Sequence, residues 1–333
     1  MRRYSFRGGV HPAEYKELSR DIAITEAKPS SGTVAIPVTM GGAPNTPTVK
    51  PGDHVTKGQV IADSTAFMSA PVHASLSGTV KEIVSCLGPS NKQEQCIVIE
   101  SDGTDSTAYM PPLDPFSCDR KDAVQRIRDA GIVGMGGASF PTHVKFSPAP
   151  GTTIEYVLLN AAECEPYLTV DYRTMKESPE KVIDGFSIAV HLSGGTGIIA
   201  LEENKADLVD VLNDAIGKAG KSDTIAVRVM KTKYPQGSEK TITLALLGRE
   251  VPSGGLPANI GCLIINVNTA CAISDAFREG KPLIERSFTV SGGGCAAPKN
   301  LRVPVGTKVS DLGDLVAMKH PDTKKIIAGG PMM

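Results

Sequence analysis

Four short apolar runs, at residues 155–160, 197–201, 224–230 and 262–266, recur through the middle of the chain with helix-like stretches between them. The first, Glu155-Tyr-Val-Leu-Leu-Asn160, is apolar at consecutive rather than alternate positions, as a strand buried on both faces requires. Between the runs, Ser178-Pro179-Glu180 places a capping serine before a proline at the first helical position. Val182, Ile183, Phe186, Ala189 and Val190 then give that helix an apolar stripe, and residues 206–217 and 238–247 supply two further helices. Strand and helix alternating in this way predict an α/β fold with a largely parallel sheet. Ligands of such sheets lie beyond the carboxyl ends of the strands.

The flanks follow a different grammar. Residues 1–115 read as short strands punctuated by Gly and Pro: VAIPV at 34–38, V-x-x-G-D-x-V-x-x-G-Q-V-I at 49–61 and A-P-x-x-x-x-x-x-G-x-V within 69–83. This pair of patterns resembles the barrel-sandwich hybrid of biotinyl and lipoyl carrier domains. A working carrier displays a lysine at a hairpin tip, and Asp63-Ser-Thr-Ala-Phe-Met-Ser69 has none, so the module reads as a scaffold. Apolar positions 123, 124, 127 and 130 mark a helix that Gly131 ends. After about 286 the β pattern returns, with Phe288-Thr-Val-Ser-Gly and a Val-Pro-Val-Gly run that resemble a small β-grasp (SLBB) soluble-ligand-binding module. Three domains are expected: 1–115, β-rich; 116–285, the Rossmann-like α/β domain; and 286–333, the β-grasp module. The chain stops on Gly329-Gly330-Pro331-Met332-Met333, a Gly/Pro turn that reads as a truncation.

Composition narrows the function classes. With 41% hydrophobic residues and a net charge of −1, the chain has a core to bury and no basic footprint for nucleic acid or anionic lipid. No stretch reaches the roughly 18 apolar residues of a membrane-spanning helix. MRRYSFRGGVHPAEYK lacks the apolar segment of a signal peptide, which predicts a cytoplasmic protein with no direct membrane insertion. The seven cysteines, at 86, 96, 118, 164, 262, 271 and 295, form no C-x-x-C pair, so no metal or cluster site is expected in this chain.

Four polar clusters carry the chemistry. Gly131-Ile-Val-Gly134-Met-Gly136-Gly137-Ala-Ser-Phe140-Pro-Thr-His-Val-Lys145-Phe lets backbone N–H groups approach a flat or anionic ligand, with Lys145 as a mobile cation. A helix precedes it and Ser139 replaces a third glycine, so it is not a dinucleotide fingerprint. On pattern alone, a turn-making cluster and a cofactor loop stand level. Asn160-Ala-Ala-Glu163-Cys164-Glu165-Pro166-Tyr167 ends a buried strand with an amide and two carboxylates suited to a cofactor's polyol and ring edges. Cys164 lies between two acids that disfavour its thiolate, so it is not a nucleophile. Lys231-Thr-Lys-Tyr234-Pro-Gln-Gly237-Ser238-Glu239-Lys240 ends a strand and opens a helix that Ser238 can cap, and Asn266-Val-Asn268-Thr269 sits on the next such junction.

G-M-G-G-A-S-F-P-T-x-x-K-F, N-A-A-E-C-E-P, Y-P-Q-G-S-E and N-V-N-T, in this order, resemble the FMN- and NADH-binding subunit of respiratory complex I. F-R-G-G-V-H-P-x-x-x-K-E-L near the start and the final G-G-P-M-M make the resemblance closer to the C subunit of Rnf-type ion-translocating ferredoxin:NAD+ oxidoreductases. The resemblance implies a flavoprotein of electron transport, the NADH:acceptor oxidoreductase component of a translocase. It implies FMN lined by Gly134, Gly136, Gly137 and Lys145, with Asn160, Glu163, Gly237, Glu239, Asn266 and Asn268 around its ribityl chain and ring. Phe140 matches an aromatic that stacks on NAD(H), and Glu165 and Tyr234 match residues near the nicotinamide. Leu256 and Ser253 stand where complex I has a second stacking Phe and a Lys, and Ala162 and Ser238 where it has acids, which weakens the implied nucleotide stacking. No side chain is singled out as catalytic. Two [4Fe-4S] clusters are implied only beyond the final turn, with the other Rnf subunits as partners at the inner face of the cell membrane. A soluble electron carrier for an amino-acid reductase and a non-catalytic docking module are the alternatives.

Overall fold

The structure is a computed structural model describing residues 3–88, 93–318 and 323–333. It divides into two compact units that interleave along the chain. Unit 1 comprises Met1–Ala23, Lys145–Ser274 and Gly329–Met333, and unit 2 comprises Ile24–Val144 and Asp275–Ala328. The sequence-based boundary near 286 falls inside the second segment of unit 2. Among the described residues no helix is long and apolar enough to cross a membrane.

Unit 1 is built on the four expected apolar runs, which form strands β1 (Tyr156–Ala161), β2 (Thr196–Glu202), β3 (Ile225–Met230) and β4 (Cys262–Asn266). All pair in parallel, in the order β3-β2-β1-β4. The connections carry helices α1 (Val170–Glu177), α2 (Pro179–Ser193), α3 (Val209–Lys218) and α4 (Glu239–Leu247), and α5 (Val267–Arg278) follows β4, its last residues counted with unit 2. Leu158, Ile198, Ala200 and Ile264 on one sheet face pack with Ile242 and Leu246 of α4. The backbone contact of α2 with α5 is so close that a Cβ on Gly185 would lie 1.7 Å from the Ala270 carbonyl. The two expected serine caps differ in detail. Ser178 and Ser238 do stand at the N-cap positions of α2 and α4, but neither hydroxyl bonds the helix, and only their carbonyls accept, from Val182 and Ile242. The edge of β3 is covered by the start of the chain: the Tyr4 N–H donates to the Val229 carbonyl, and the Lys231 N–H donates back to Tyr4.

Unit 2 holds the barrel sandwich. A four-stranded sheet of Thr33–Pro37, Gln93–Ser101, Gly78–Leu87 and His54–Val55 faces a three-stranded one of Thr46–Pro47, Val60–Asp63 and Val72–His73. Val34, Ile36, Val55, Ile61, Val72, Val80, Ile97 and Ile99 fill the space between. The tip that a carrier would leave free is tied down here: Arg128 donates to Asp63 at 3.1 Å and to the Ser64 carbonyl at 2.6 Å, and a His143 ring nitrogen bonds the Phe67 carbonyl at 2.9 Å. A swinging arm needs a mobile tip, so these bonds suit a scaffold. The small β module is completed from far away in sequence. Lys299–Pro304 pairs antiparallel with Glu285–Val290 and parallel with Ile24–Glu26, over Leu301, Val303 and Val316.

Candidate functional site

Chain order in the parallel sheet reverses between β1 and β4. The crevice at such a reversal, past the carboxyl ends of the strands, is where ligands of open α/β sheets lie. Its rim is formed by Asn160 and Asn266, which face each other across β1 and β4. Asn160 donates from Nδ2 to the Gly237 carbonyl at 2.7 Å and accepts at Oδ1 from the Ala162 N–H at 3.3 Å. Asn266 Oδ1 accepts the Asn268 N–H at 2.9 Å and so caps α5. Asp171 gathers both amides, accepting from Asn266 Nδ2 at 2.8 Å and from Asn268 Nδ2 at 2.6 Å. Lys145 donates from Nζ to the Ile264 carbonyl at 2.7 Å and pairs with Glu239, the first residue of α4, at 3.0 Å. Of the thirteen residues expected around the cofactors, the structure brings nine into unit 1, and Asp171 joins them as an organiser that no sequence pattern marked.

The 162–168 loop is shaped by two buried ammonium groups. Lys16, from the H-P-x-x-x-K stretch, donates to the carbonyls of Glu163 at 2.8 Å, Glu165 at 3.0 Å and Leu168 at 2.5 Å. Lys205 donates to the Ala162 carbonyl at 2.6 Å and to Asn204 Oδ1 at 2.9 Å. Held in this frame, with φ of 45°, Glu163 turns its carboxylate onto the first turn of α1, accepting the N–H groups of Asp171 at 2.7 Å and Tyr172 at 3.3 Å. A carboxylate has about four acceptor positions, so roughly two remain for a ligand. Burial, with Glu202 and Glu165 adding to it, pushes the Cys164 thiol up, and its Sγ accepts the Gly237 N–H at 3.2 Å, which keeps this cysteine structural. A Cβ on Gly237 would lie 3.3 Å from Ala162 Cβ, Asn160 Oδ1 and Cys164 Sγ, a tight fit that would press the second and third clusters slightly apart.

Glu165 and Tyr234 meet in an unexpected way. The Met332 N–H donates to Glu165 Oε1 at 2.6 Å, and the Tyr234 hydroxyl donates to the Met332 carbonyl at 3.0 Å. A Cβ on Gly330 would stand 2.0 Å from Glu165 Oε1, so the Gly-Gly-Pro-Met-Met turn seats on these two side chains through its glycine. Glu165 Oε2 is buried and has no hydrogen-bond partner among the described residues.

The four other expected residues, Gly134, Gly136, Gly137 and Phe140, belong to unit 2. Their loop is a small hairpin, closed by the Gly134 N–H to the Phe140 carbonyl at 2.8 Å and the Thr142 N–H to Ile132 at 2.9 Å. Gly137, at φ 129°, takes a backbone conformation that only glycine adopts readily. Gly136, Gly137 and Ala138 are exposed at the tip, Phe140 is half-buried, and Arg286 steadies the loop by donating to the Met135 carbonyl at 2.5 Å. Leu256, the residue in place of a second stacking ring, is 59% exposed. Among the described residues no group of three or more His, Cys, Asp or Glu could hold a metal ion.

Known proteins fit this arrangement. The family model described as the RnfC barrel sandwich hybrid domain matches residues 4–104, and the one described as the Nuo51 FMN-binding domain matches residues 127–275. The chain is 45% identical over 333 residues to the C subunit of the proton-translocating ferredoxin:NAD(+) oxidoreductase complex of Clostridium ljungdahlii, covering 99% of this chain and 72% of that one. The C subunit of the Na(+)-translocating complex of Acetobacterium woodii is 39% identical over 335 residues, covering 99% of this chain and 74% of that one. The C subunit of the ion-translocating oxidoreductase complex of Rhodobacter capsulatus is 36% identical, and the chain spans 64% of its length. Among solved structures, an NAD+-reducing [NiFe]-hydrogenase in its air-oxidized state shares the fold, at a TM-score of 0.53 and 24% identity over 61% of this chain and 39% of that one. Relatives at this identity over nearly the whole length, and both family models in sequence order, show that the chain belongs to the RnfC family, the C subunits of ion-translocating ferredoxin:NAD(+) oxidoreductase complexes, and carries an FMN-binding domain.

Proposed function

We propose that this chain binds FMN and NAD(H), brings them together for hydride exchange, and passes electrons singly to iron–sulfur clusters ligated outside this sequence, as one component of an Rnf-type complex at the inner face of the cell membrane. The observation that carries this reading is the crevice rim of unit 1, where Asn160, Asn266 and the Lys145–Glu239 pair meet at the reversal of the sheet. The donor set suits a flavin mononucleotide. Helices α4 and α5 begin at this edge and, with Lys145, favour a phosphate. Asn160, Asn268, Glu163 and Glu239 offer amides and carboxylates to a polyol. The buried, unpartnered Glu165 Oε2 calls for a donor, and Gly237 keeps the floor of the crevice free of side chain.

Bound FMN would supply the exchange between two-electron nicotinamide chemistry and one-electron cluster chemistry. The residues of this chain hold and orient. Gly134, Gly136 and Gly137 offer backbone N–H groups, and Phe140 supplies the aromatic face for the nucleotide. Glu165 and Tyr234 stand at the nicotinamide end, where Met332 now takes their hydrogen bonds.

Reconstitution tests this directly. Protein incubated with FMN and desalted should retain flavin absorbance, and Glu239→Ala and Gly136→Val should lose it. Anaerobic NADH should bleach the bound flavin faster than NADPH, because none of the sequence clusters assigned to the nucleotide contains an arginine for a 2′-phosphate. A folded protein that never takes up FMN would sink the reading.

A further inference from the structure

Behind the 162–168 loop lies a buried carboxylate that takes no part in the crevice rim. Glu202, the last residue of β2, is 0% exposed, and neither of its carboxylate oxygens makes a hydrogen bond of ordinary length among the described residues, the Lys233 N–H acting on it from farther off. It lines a cavity of about 40 Å³, where it shares the wall with Cys164 of the loop. Water needs roughly 10–15 Å³ of such space, so the cavity is large enough for it, and the Glu202 oxygens, out of its reach at rest, meet that water only when the wall moves. The charged and titratable groups around Glu202 come from every neighbouring element: His11, Glu14 and Lys16 from the start of the chain, Cys164 from the loop, Lys205 from the turn after β2, and Lys233 from the segment after β3.

Most of these neighbours are already committed. Lys16 is spent on three carbonyls of the loop, Lys233 donates to the carbonyls of Phe6 and Gly8, and Glu14 accepts from Asn204 at 2.9 Å. The nearest cation, Lys205 Nζ, is 3.8 Å from Glu202 and gives its short hydrogen bonds to Ala162 and Asn204 instead. Glu202 is thus the acid of this cluster whose charge no short hydrogen bond fixes. We infer that Glu202 is a proton-holding group of the flavin site, exchanging its proton with solvent through this cavity and holding it when negative charge arrives on the far side of the loop.

This rests on the proposed function, which supplies the charge. A hydride brings two electrons and one proton, so full neutralisation takes one further proton from the medium, and two protons must return to it once both electrons have left singly. A carboxylate held one loop behind the crevice can hold that further proton at Oε1 or Oε2 and release it to cavity water. The electrostatic path is short, because Cys164 lines the same cavity as Glu202 and its Sγ accepts the Gly237 N–H of the third cluster. The ionisation balance agrees. Burial pushes the Glu202 carboxyl up to about 7, opposed by Lys205, by Lys16 and by the Lys233 N–H, and reinforced by Glu14. Near neutrality a modest change of local charge therefore moves its proton.

Two measurements decide. In FMN-loaded protein, the potential of the flavin should fall more steeply with pH above neutrality than it does in Glu202→Gln, by up to one proton per two electrons. In apo protein, infrared spectra with isotope-labelled glutamate should show a protonated carboxyl at pH 6 that is gone at pH 9 and missing from Glu202→Gln at both. Equal proton counts in the two proteins overturn the linkage, and absence of a titrating carboxyl in the unmodified apo protein overturns the proton site even if the variant does not fold. If no FMN is taken up, the proposed function fails and the linkage with it, while the infrared band still decides the proton site.

Discussion

Unit 1 buries Lys16, Lys205 and Glu202 around the loop that edges its crevice, whereas unit 2 buries an imidazole, His73, in the wall of its barrel sandwich. Removal from water pushes Lys205 and His73 alike toward their neutral forms, and the two units answer it differently. In unit 1 the ammonium groups stay in place because backbone carbonyls satisfy them, and through those bonds their charge becomes the shape of the loop. In unit 2 burial of His73 outweighs the backbone at Asp129 and the charge of Asp63, which favour the protonated ring. Burial therefore lowers it to about 4, and the ring is neutral at physiological pH. A scaffold can bury a neutral group and be done. Unit 1 keeps its two lysines hydrogen-bonded to backbone carbonyls and leaves Glu202 beside them without a hydrogen bond of ordinary length.

The largest effect should follow from removing a support. Lys205→Met leaves the Ala162 carbonyl and the Glu202 carboxylate buried together without their nearest cation, a defect that typically costs about 3–5 kcal/mol. Urea unfolding at pH 8 should show a loss of this order, and at pH 6 a smaller one, since Glu202 with a carboxyl near 7 can then take up a proton. Lys145→Met, at a half-exposed pair, should cost about 1 kcal/mol or less. Equal losses for the two lysines would erase the distinction between buried frame and open rim.

The pH responses should run in opposite directions. His73 has a folded-state value below its unfolded one, so its contribution is complete above about 6.5 and is lost as pH falls toward 4, up to about 3 kcal/mol. Glu202 is raised, so its contribution is complete below the ordinary glutamate range and is lost as pH rises through about 7. Hydrogen-exchange protection of Val60–Asp63 and Val72–His73 should weaken on the acid side, and that of β2 on the alkaline side. His73→Phe and Glu202→Gln should each flatten only the profile of its own unit. Parallel profiles in both units would mean that neither buried group sets them.

A middle-sized effect is expected at Asp171. Asp171→Ala deprives the amides of Asn266 and Asn268 of their shared acceptor, which costs about 2 kcal/mol for buried donors, and it loosens the crevice rim. Asp171→Asn keeps one acceptor oxygen and should lose about half as much. A flat response in thermal unfolding would show that the rim orders itself without this carboxylate.

How much of this is legible in the sequence follows the range of the forces involved. The four strands of the sheet declare themselves because a strand covered on both faces is apolar at every position, as in Val157, Leu158 and Leu159. Gly131 ends its helix as expected, at φ 66°. The third strand of the small module, Ile24–Glu26, gives no sign, since a three-residue strand paired with Asn300, Leu301 and Arg302 has no local signature. The burial of Lys16 and Lys205 is hidden for a related reason. Lysine is among the residues least often buried, and only the carbonyls of a distant loop make these two exceptions. Glu163 is legible as an acid at the end of a buried strand but not as the cap of α1, because that role depends on a left-handed backbone that its side chain does not announce.

The smallest effect on stability should separate folding from binding most cleanly. A Cβ added at Gly134 meets only the Phe140 N and O atoms, at 3.6 Å, an ordinary van der Waals contact, and Gly134 is not among the residues with positive φ. The hairpin therefore has no reason of its own for a glycine here. Gly134→Ala should change stability by no more than about 0.5 kcal/mol. Gly137→Ala, at φ 129°, should cost about 1–3 kcal/mol through backbone strain alone. If the backbone at 134 approaches the flavin, Gly134→Ala should still weaken FMN retention at least tenfold, because a methyl group then stands where the ring system would pass. Calorimetry paired with FMN titration reads both quantities on one sample. Unchanged stability with unchanged FMN affinity would remove Gly134 from the flavin site and leave the strand ends of unit 1 to hold the cofactor.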